Sequence, residues 1–76
     1  MMERFAVVLV ESTSQAMRVE HLLHQEGLPC RLIPVPRMLS SNCGNCVRIE
    51  EKDMEKARQV LAANGITSAD VRAVEY

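Results

Sequence analysis

The run of apolar residues near the N-terminus is typical of a strand that is covered on both faces. Every residue from Phe5 to Val10 is apolar, so both alternating faces of an extended segment would be apolar here. Valine and phenylalanine also favour the extended conformation. We therefore predict a central β-strand from Arg4 to Val10.

The apolar spacing then changes to that of a helix. Ser12 and Gln15 have the spacing of a capping box, in which two side chains bond amide groups at a helix start. One face of the predicted helix is apolar, with Ala16, Val19, Leu22 and Leu23. Gly27 is placed to end this helix as its C-cap.

The rest of the chain predicts three more strands and a second helix. In order these are a strand over Cys30–Ile33, a polar loop from Val35 to about Asn45, a strand over Cys46–Glu50, a helix with the stripe Met54, Ala57, Val60 and Leu61, and a strand from about Asp70 to Glu75. Pro34 closes the second strand because proline has no amide hydrogen for a sheet ladder.

The order βαββαβ predicts an α+β, ferredoxin-like fold: a four-stranded antiparallel sheet with two helices on one face. The 76 residues fit a single domain, 1–76. Two observations favour a homo-oligomer. The first strand is apolar on both faces although the helices cover only one, and so short a chain, with one Phe, one Tyr and no Trp, gains little more from burial than ordering costs.

Charge and length exclude several classes of partner. Nine basic and ten acidic residues give a net charge of −1, which provides no field to attract nucleic acid or anionic lipid. The apolar run at residues 5–10 is too short for a signal-peptide core or a membrane span. We therefore expect a cytoplasmic protein, in which three cysteines would be reduced thiols that react, bind metal or pack.

The motif with catalytic character is Cys43-Gly44-Asn45-Cys46. Its loop is predicted to lie beside the start of the first helix, where free amides and the helix dipole would stabilise a thiolate. The residues expected to stabilise or bind this negative charge are Ser12, Thr13, Ser14, Arg37, Ser41, Gly44 and Arg48.

Gly44 and Asn45 are predicted to form a turn that brings the two cysteines of the motif within disulfide range. Cys43 could then accept a sulfur or selenium atom, and Cys46 could discharge it by forming a disulfide. A plain redox couple, a packed turn and a zinc half-site are the alternatives, although zinc lacks a second CxxC or a suitable histidine pair. Cys30 is predicted to pack, and no cofactor or metal is expected.

The stretch from Cys30 to Gly44 resembles a known family. It reads CRLIPVPRMLSSNCG, and the small bacterial proteins described as Se/S carrier protein-like have the pattern CRLIP, a variable residue, PR, and then SSxCG. Arg48-Ile49 is similar to the end of the family's next strand, Glu11–Ser14 to its Ser-Thr turn, and Gly27–Cys30 to its Gly-Ile-Pro-Cys.

The resemblance implies a carrier that holds a persulfide or selenide on a cysteine thiolate, with Cys43 in the position of the family's characteristic cysteine. It implies a cysteine desulfurase, a sulfurtransferase or selenophosphate synthetase as partner, and a transfer protein more than a stand-alone enzyme. Cys46 departs from the family pattern, which has an apolar or small residue there. The alternatives are a ferredoxin-like module that binds a small ligand or assembles without thiol chemistry, and a CxxC zinc-binding or redox module.

Overall fold

The computed structural model describes residues 4–39 and 44–75. Its helices and strands are β1 (Arg4–Leu9), α1 (Thr13–Gln25), β2 (Cys30–Pro34), β3 (Asn45–Ile49), α2 (Met54–Ala63) and β4 (Asp70–Glu75). A short 3-10 turn over Glu51–Asp53 leads into α2. These bounds agree with the sequence pattern to within a few residues.

The four strands form one sheet in the order β2-β3-β1-β4, and every neighbouring pair is antiparallel. The predicted α+β, ferredoxin-like fold is thereby confirmed. As expected from its apolar faces, β1 is a central strand. None of the described helices is long and apolar enough to cross a membrane.

The main core lies between the sheet and the two helices. Side chains alternate across a strand, so Ala6 and Val8 of β1 share one face with Val47 and Ile49 of β3. The helices contribute the predicted stripes, of which the buried members are Ala16, Val19 and Leu23 of α1 and Ala57, Val60 and Leu61 of α2.

The other face of the sheet, which we call the open face, carries a second apolar cluster. This open-face cluster consists of Phe5, Val7, Cys46 and Val74, all buried, and the partly buried Leu9, Ile33, Val35 and Leu39 surround it. The chain thus covers this face itself, so the apolar first strand no longer argues for a second subunit. The homo-oligomer stays a prediction that rests on chain length.

Side chains of α1 cover the outer edge of β2. Glu20 Oε2 accepts a hydrogen bond from the amide of Leu32 at 3.1 Å, and His24 Nε2 donates to the carbonyl oxygen of Cys30 at 3.0 Å. The Leu32 amide and the Cys30 carbonyl are on the outer side of the edge strand, and these two groups are therefore not available to hydrogen-bond a strand of another chain.

Candidate functional site

β2 ends and β3 begins at the end of the sheet where β1 leads into α1. Leu9, the last residue of β1, is opposite Cys46, and Asn45 is opposite Pro34. The amide of Val35 donates to the carbonyl oxygen of Gly44 at 3.1 Å, so the pairing extends beyond β2. We call this the loop end of the sheet. Of the predicted site residues, Ser41 and Cys43 lie outside the described residues.

The turn predicted over Gly44 and Asn45 is wrong. Asn45 is the first residue of β3 and pairs with Pro34. Within the two described ranges, positive φ occurs only at Gly27 and Gly65, so neither residue of the predicted turn adopts it. Pairing with β2 has overridden the turn preference of asparagine. Gly44 and Asn45 therefore give no support to a tight turn that would bring the two thiols together.

Cys46 is a packing residue in this structure. Its side chain has 0% relative exposure and lies in the open-face cluster. Its Sγ donates a weak hydrogen bond to the carbonyl oxygen of Pro34 at 4.0 Å. A resolving or metal-binding role would require this thiol to leave the apolar cluster.

The start of α1 is a capped helix end, as the capping box predicts. Ser12 Oγ accepts a hydrogen bond from the amide of Gln15 at 3.1 Å. Gln15 Oε1 accepts from the amide of Glu11 at 2.8 Å, one residue before the amide of Ser12 that a capping box would use. Gln15 Nε2 donates to Ser68 Oγ at 2.9 Å. Ser12 is therefore engaged in capping. It is exposed together with Thr13 and Ser14, so the positive end of the helix dipole faces solvent.

Arg37 is an exposed residue of a tight turn at the loop end. The amide of Leu39 donates to the carbonyl oxygen of Pro36 at 3.0 Å, which closes the turn. Pro36 is buried and Leu39 packs against the open-face cluster, whereas Arg37 and Met38 are exposed. The turn thus holds an arginine in solvent on the side of the sheet where the predicted site lies.

Arg48 is directed away from the loop end. Its guanidinium carbon lies 4.0 Å from the centre of the Phe5 ring, a cation–π contact. Phe5 is near the start of β1 and pairs with Val74 near the end of β4, so the contact points to the opposite end of the sheet. The expectation that Arg48 helps to stabilise a charge beside Cys43 is not supported by this geometry.

The comparison with protein families gives a match over most of the chain. A family model described as "Putative Se/S carrier protein-like" matches residues 5–71. The chain belongs to this family. The comparisons with curated proteins and with solved structures give no match.

In this member of the Se/S carrier family, Cys30 is a protonated packing thiol. It packs against the core between sheet and helices, and its Sγ donates to the carbonyl oxygen of Glu20 at 3.6 Å. Burial, and secondarily the negative charge of Glu20, raises the pKa of Cys30 from 9.0 to about 11. The prediction that Cys30 packs is confirmed, and a thiol with this pKa is a poor nucleophile at neutral pH.

Glu20, near the thiol of Cys30, is a residue that the sequence pattern did not single out, and His24 was considered only as half of a histidine pair with His21. Glu20 and His24 are four residues apart on α1, so they share one side of the helix and reach two successive outward groups of β2. The i,i+4 spacing of two polar residues was visible in the sequence. The spacing alone does not show that the two side chains bond β2, because that depends on β2 being the edge strand beside α1, which is known only once the strand order is known.

We find no metal centre in the part of the chain that the structure describes. No group of three or more His, Cys, Asp or Glu side chains there lies close enough to hold a metal ion. His21 and His24 are exposed on α1, and His24 is bonded to the backbone of β2.

Proposed function

We propose that this protein carries a sulfur or selenium atom on Cys43 and passes it to a partner protein. The observation that carries the proposal is the packing of the other two cysteines in a member of the Se/S carrier family. Cys46 is fully buried, and Cys30 is partly buried with its pKa raised to about 11. Cys43 is the remaining thiol, in the connection whose described ends lie at the loop end.

The proposed transfer needs one thiolate and no change in overall oxidation state. The thiolate of Cys43 attacks the terminal sulfur of a donor persulfide, a new S–S bond forms, and the donor's S–S bond breaks to release the donor thiolate. A nucleophile of the acceptor then attacks the terminal sulfur, and Cys43 leaves as a thiolate. Cys46 has no part in this scheme. With selenium, the donor cysteine carries a terminal selenium atom. The thiolate of Cys43 attacks that atom, an S–Se bond forms on Cys43, and the donor's S–Se bond breaks to release the donor thiolate.

The described residues at the loop end supply positive potential for such a thiolate. Lowering a cysteine pKa from about 8.5 to about 7 takes roughly 2 kcal/mol. A helix N-terminus contributes about 0.3 to 1 kcal/mol, and a guanidinium a few ångströms away contributes about 1 kcal/mol or more near a protein surface. The exposed first turn of α1, with Thr13 and Ser14, and the exposed Arg37 are the groups we assign to this role.

The proposal includes partners of defined chemistry. A cysteine desulfurase or a sulfurtransferase would supply the persulfide, and a sulfurtransferase or selenophosphate synthetase would accept the sulfur or selenium. The exposed Met38, with 55% relative exposure, and Arg37 give the turn after β2 an apolar and a basic contact for such a partner.

The test compares the three single-cysteine replacements after incubation with a persulfide donor. Wild-type protein, Cys30→Val and Cys46→Ala are expected to gain the mass of one sulfur atom, measured on the intact chain, and to lose it to an added thiol. Cys43→Ser is expected to gain none. Because Cys30→Val and Cys46→Ala also remove one thiol each, they control for a general loss of reactive cysteine.

Two results would contradict the proposal. If Cys43→Ser gains as much sulfur as the wild type, Cys43 is not the carrier. If Cys46→Ala gains sulfur but does not release it, whereas the wild type releases it and forms an intramolecular disulfide, the two-cysteine scheme applies instead.

A further inference from the structure

A row of arginines crosses the open face of the sheet. The register places Arg31 of β2 directly opposite Arg48 of β3, which is followed by Val7 of β1 and Arg72 of β4. Like charges directly opposite each other on neighbouring strands destabilise a sheet. An anion bound between the side chains of Arg31 and Arg48 would therefore reduce this repulsion and stabilise the sheet.

Arg31 and Arg48 both line a cleft of about 570 Å³. This volume is typical of a pocket for a small molecule. The cleft lies at the end of the sheet opposite the loop end, where β1 and β2 begin and β3 ends, and Phe5, Pro29 and Ile49 supply apolar surface to it. Phe5 and Leu9 are four residues apart in β1, so roughly 13 Å of strand separates the two ends.

Basic residues outnumber acidic residues in the lining of the cleft. Four basic and two acidic residues are found among its described lining residues. Arg4 is bonded to Glu75 at 2.9 Å and Lys52 to Glu50 at 3.3 Å. Arg31 forms no ion pair with any residue in the described ranges. Among the acidic residues of the lining, Glu51 likewise forms no ion pair with a described residue.

We propose that this cleft binds a small molecule that carries a phosphate monoester. The guanidinium groups of Arg31 and Arg48 hold the phosphate oxygens, and the apolar lining contacts the organic part. Two guanidinium groups match the charge of a phosphate dianion, and their planar donor sets fit its oxygens in a bidentate manner. The site is remote from the loop end and does not depend on the proposed thiol chemistry.

The test is an NMR titration of the full chain with phenyl phosphate, with inorganic phosphate and benzoate as comparators. We expect saturable shifts at the guanidinium signals of Arg31 and Arg48, and tighter binding of phenyl phosphate than of either comparator. Arg31→Gln is expected to weaken that binding about tenfold or more, because a charge-assisted hydrogen bond is lost.

Two further variants sharpen the assignment. Arg72→Gln removes an arginine from the same face, one that is bonded to Asp70 at 2.8 Å, and is expected to leave binding unchanged. Glu51→Gln removes the acid without an ion pair in the described ranges and is expected to strengthen binding. Arg31 is the more informative of the arginine pair because it is exposed, whereas Arg48 also packs on Phe5.

The proposal is overturned if folded wild-type protein gives no saturable shift with phenyl phosphate. Equal weakening by Arg31→Gln and Arg72→Gln would show that diffuse positive charge, not this cleft, attracts the probe. If benzoate binds as tightly as phenyl phosphate, the cleft does not select a phosphate.

Discussion

Burial decides what each described cysteine can do at the scale of single residues. Cys30 lies on the helix-covered face of the sheet and Cys46 on the open face, although both are strand residues. The alternation of Cys30 with Leu32 was enough to predict packing. The CxxC spacing suggested a reactive pair because it does not show that the open face of the sheet is covered, and this cover buries the side chain of Cys46.

The raised pKa of Cys30 predicts a loss of stability at alkaline pH. Its pKa is about 11 in the folded chain against 9.0 when unperturbed, so the thiol's contribution is complete below pH 9 and is lost as pH rises through about 11. Urea unfolding across this range should show a smaller decrease in the free energy of unfolding for Cys30→Val than for the wild type. An identical decrease in both proteins would contradict this prediction.

Glu20→Gln separates the two causes of that pKa. The amide oxygen of glutamine can still accept the hydrogen bond from Leu32, but the negative charge is gone. Since burial is the larger cause, we expect the alkaline decrease to become smaller without disappearing. A spectroscopic titration of the thiolate in Glu20→Gln measures the same shift directly.

The burial of Cys46 predicts that its thiol is protected in the folded protein. In a Cys43→Ser background, a maleimide should modify Cys46 only as the chain unfolds. Cys46→Ala should lower the free energy of unfolding by about 1 kcal/mol, since it removes a buried group of roughly one methylene in size. Rapid modification of Cys46 under native conditions would contradict its placement in the open-face cluster.

At the scale of elements, α1 connects three parts of the fold. Its N-terminus is bonded to the segment before β4 through Gln15 and Ser68, its apolar stripe packs on the sheet, and Glu20 and His24 reach β2. The capping box and the stripe follow from local spacing and were predicted from the sequence. The bonds to Ser68 and β2 join residues far apart in the chain, and no local pattern reports them.

The cap of α1 can be tested by two serine replacements. Ser12→Ala should lower the free energy of unfolding by about 1 kcal/mol, because Ser12 Oγ accepts the amide hydrogen of Gln15. Ser14→Ala, a neighbouring exposed serine inside the helix, should change it by less than about 0.5 kcal/mol. Equal effects in chemical denaturation would show that Ser12 does not act as the cap.

The cover of β2 predicts an effect on self-association. Glu20→Ala leaves the amide of Leu32 without its acceptor, and this outward amide then becomes available to another strand. Sedimentation should show greater concentration-dependent association for Glu20→Ala than for the wild type, and Glu20→Gln should behave as the wild type. If Glu20→Ala and Glu20→Gln associate to the same extent, the loss of negative charge, not the uncovered amide of Leu32, explains the association.

At the scale of the whole molecule, the order of elements follows from the sequence because each element has its own period. Apolar and polar residues alternate along the strands, and apolar residues recur about every 3.6 residues along the helices. The element order βαββαβ is compatible with only a few sheet topologies. The cover of the open face was not predicted. It depends on Leu39 and Val35 folding back after β2 and on Arg48 lying over Phe5, which are contacts between separate segments.

The homo-oligomer is a prediction for the intact molecule. A chain of 76 residues buries only about 60% of the surface that its unfolded form exposes, so association is a common source of further stability. Light scattering on a sizing column should give a mass above 8.5 kDa, the mass of one chain. A stable monomer at all concentrations would show that the self-covered open face is sufficient.

The covered edge of β2 also limits how this molecule can polymerise. Of the two outermost strands in the order β2-β3-β1-β4, β2 has backbone groups engaged by Glu20 and His24. Addition of a strand from another copy is therefore disfavoured beside β2, which leaves β4 as the favoured edge for pairing. A copy joined there through its own β4 presents its covered β2 outward, which disfavours growth into a ribbon of more than two chains.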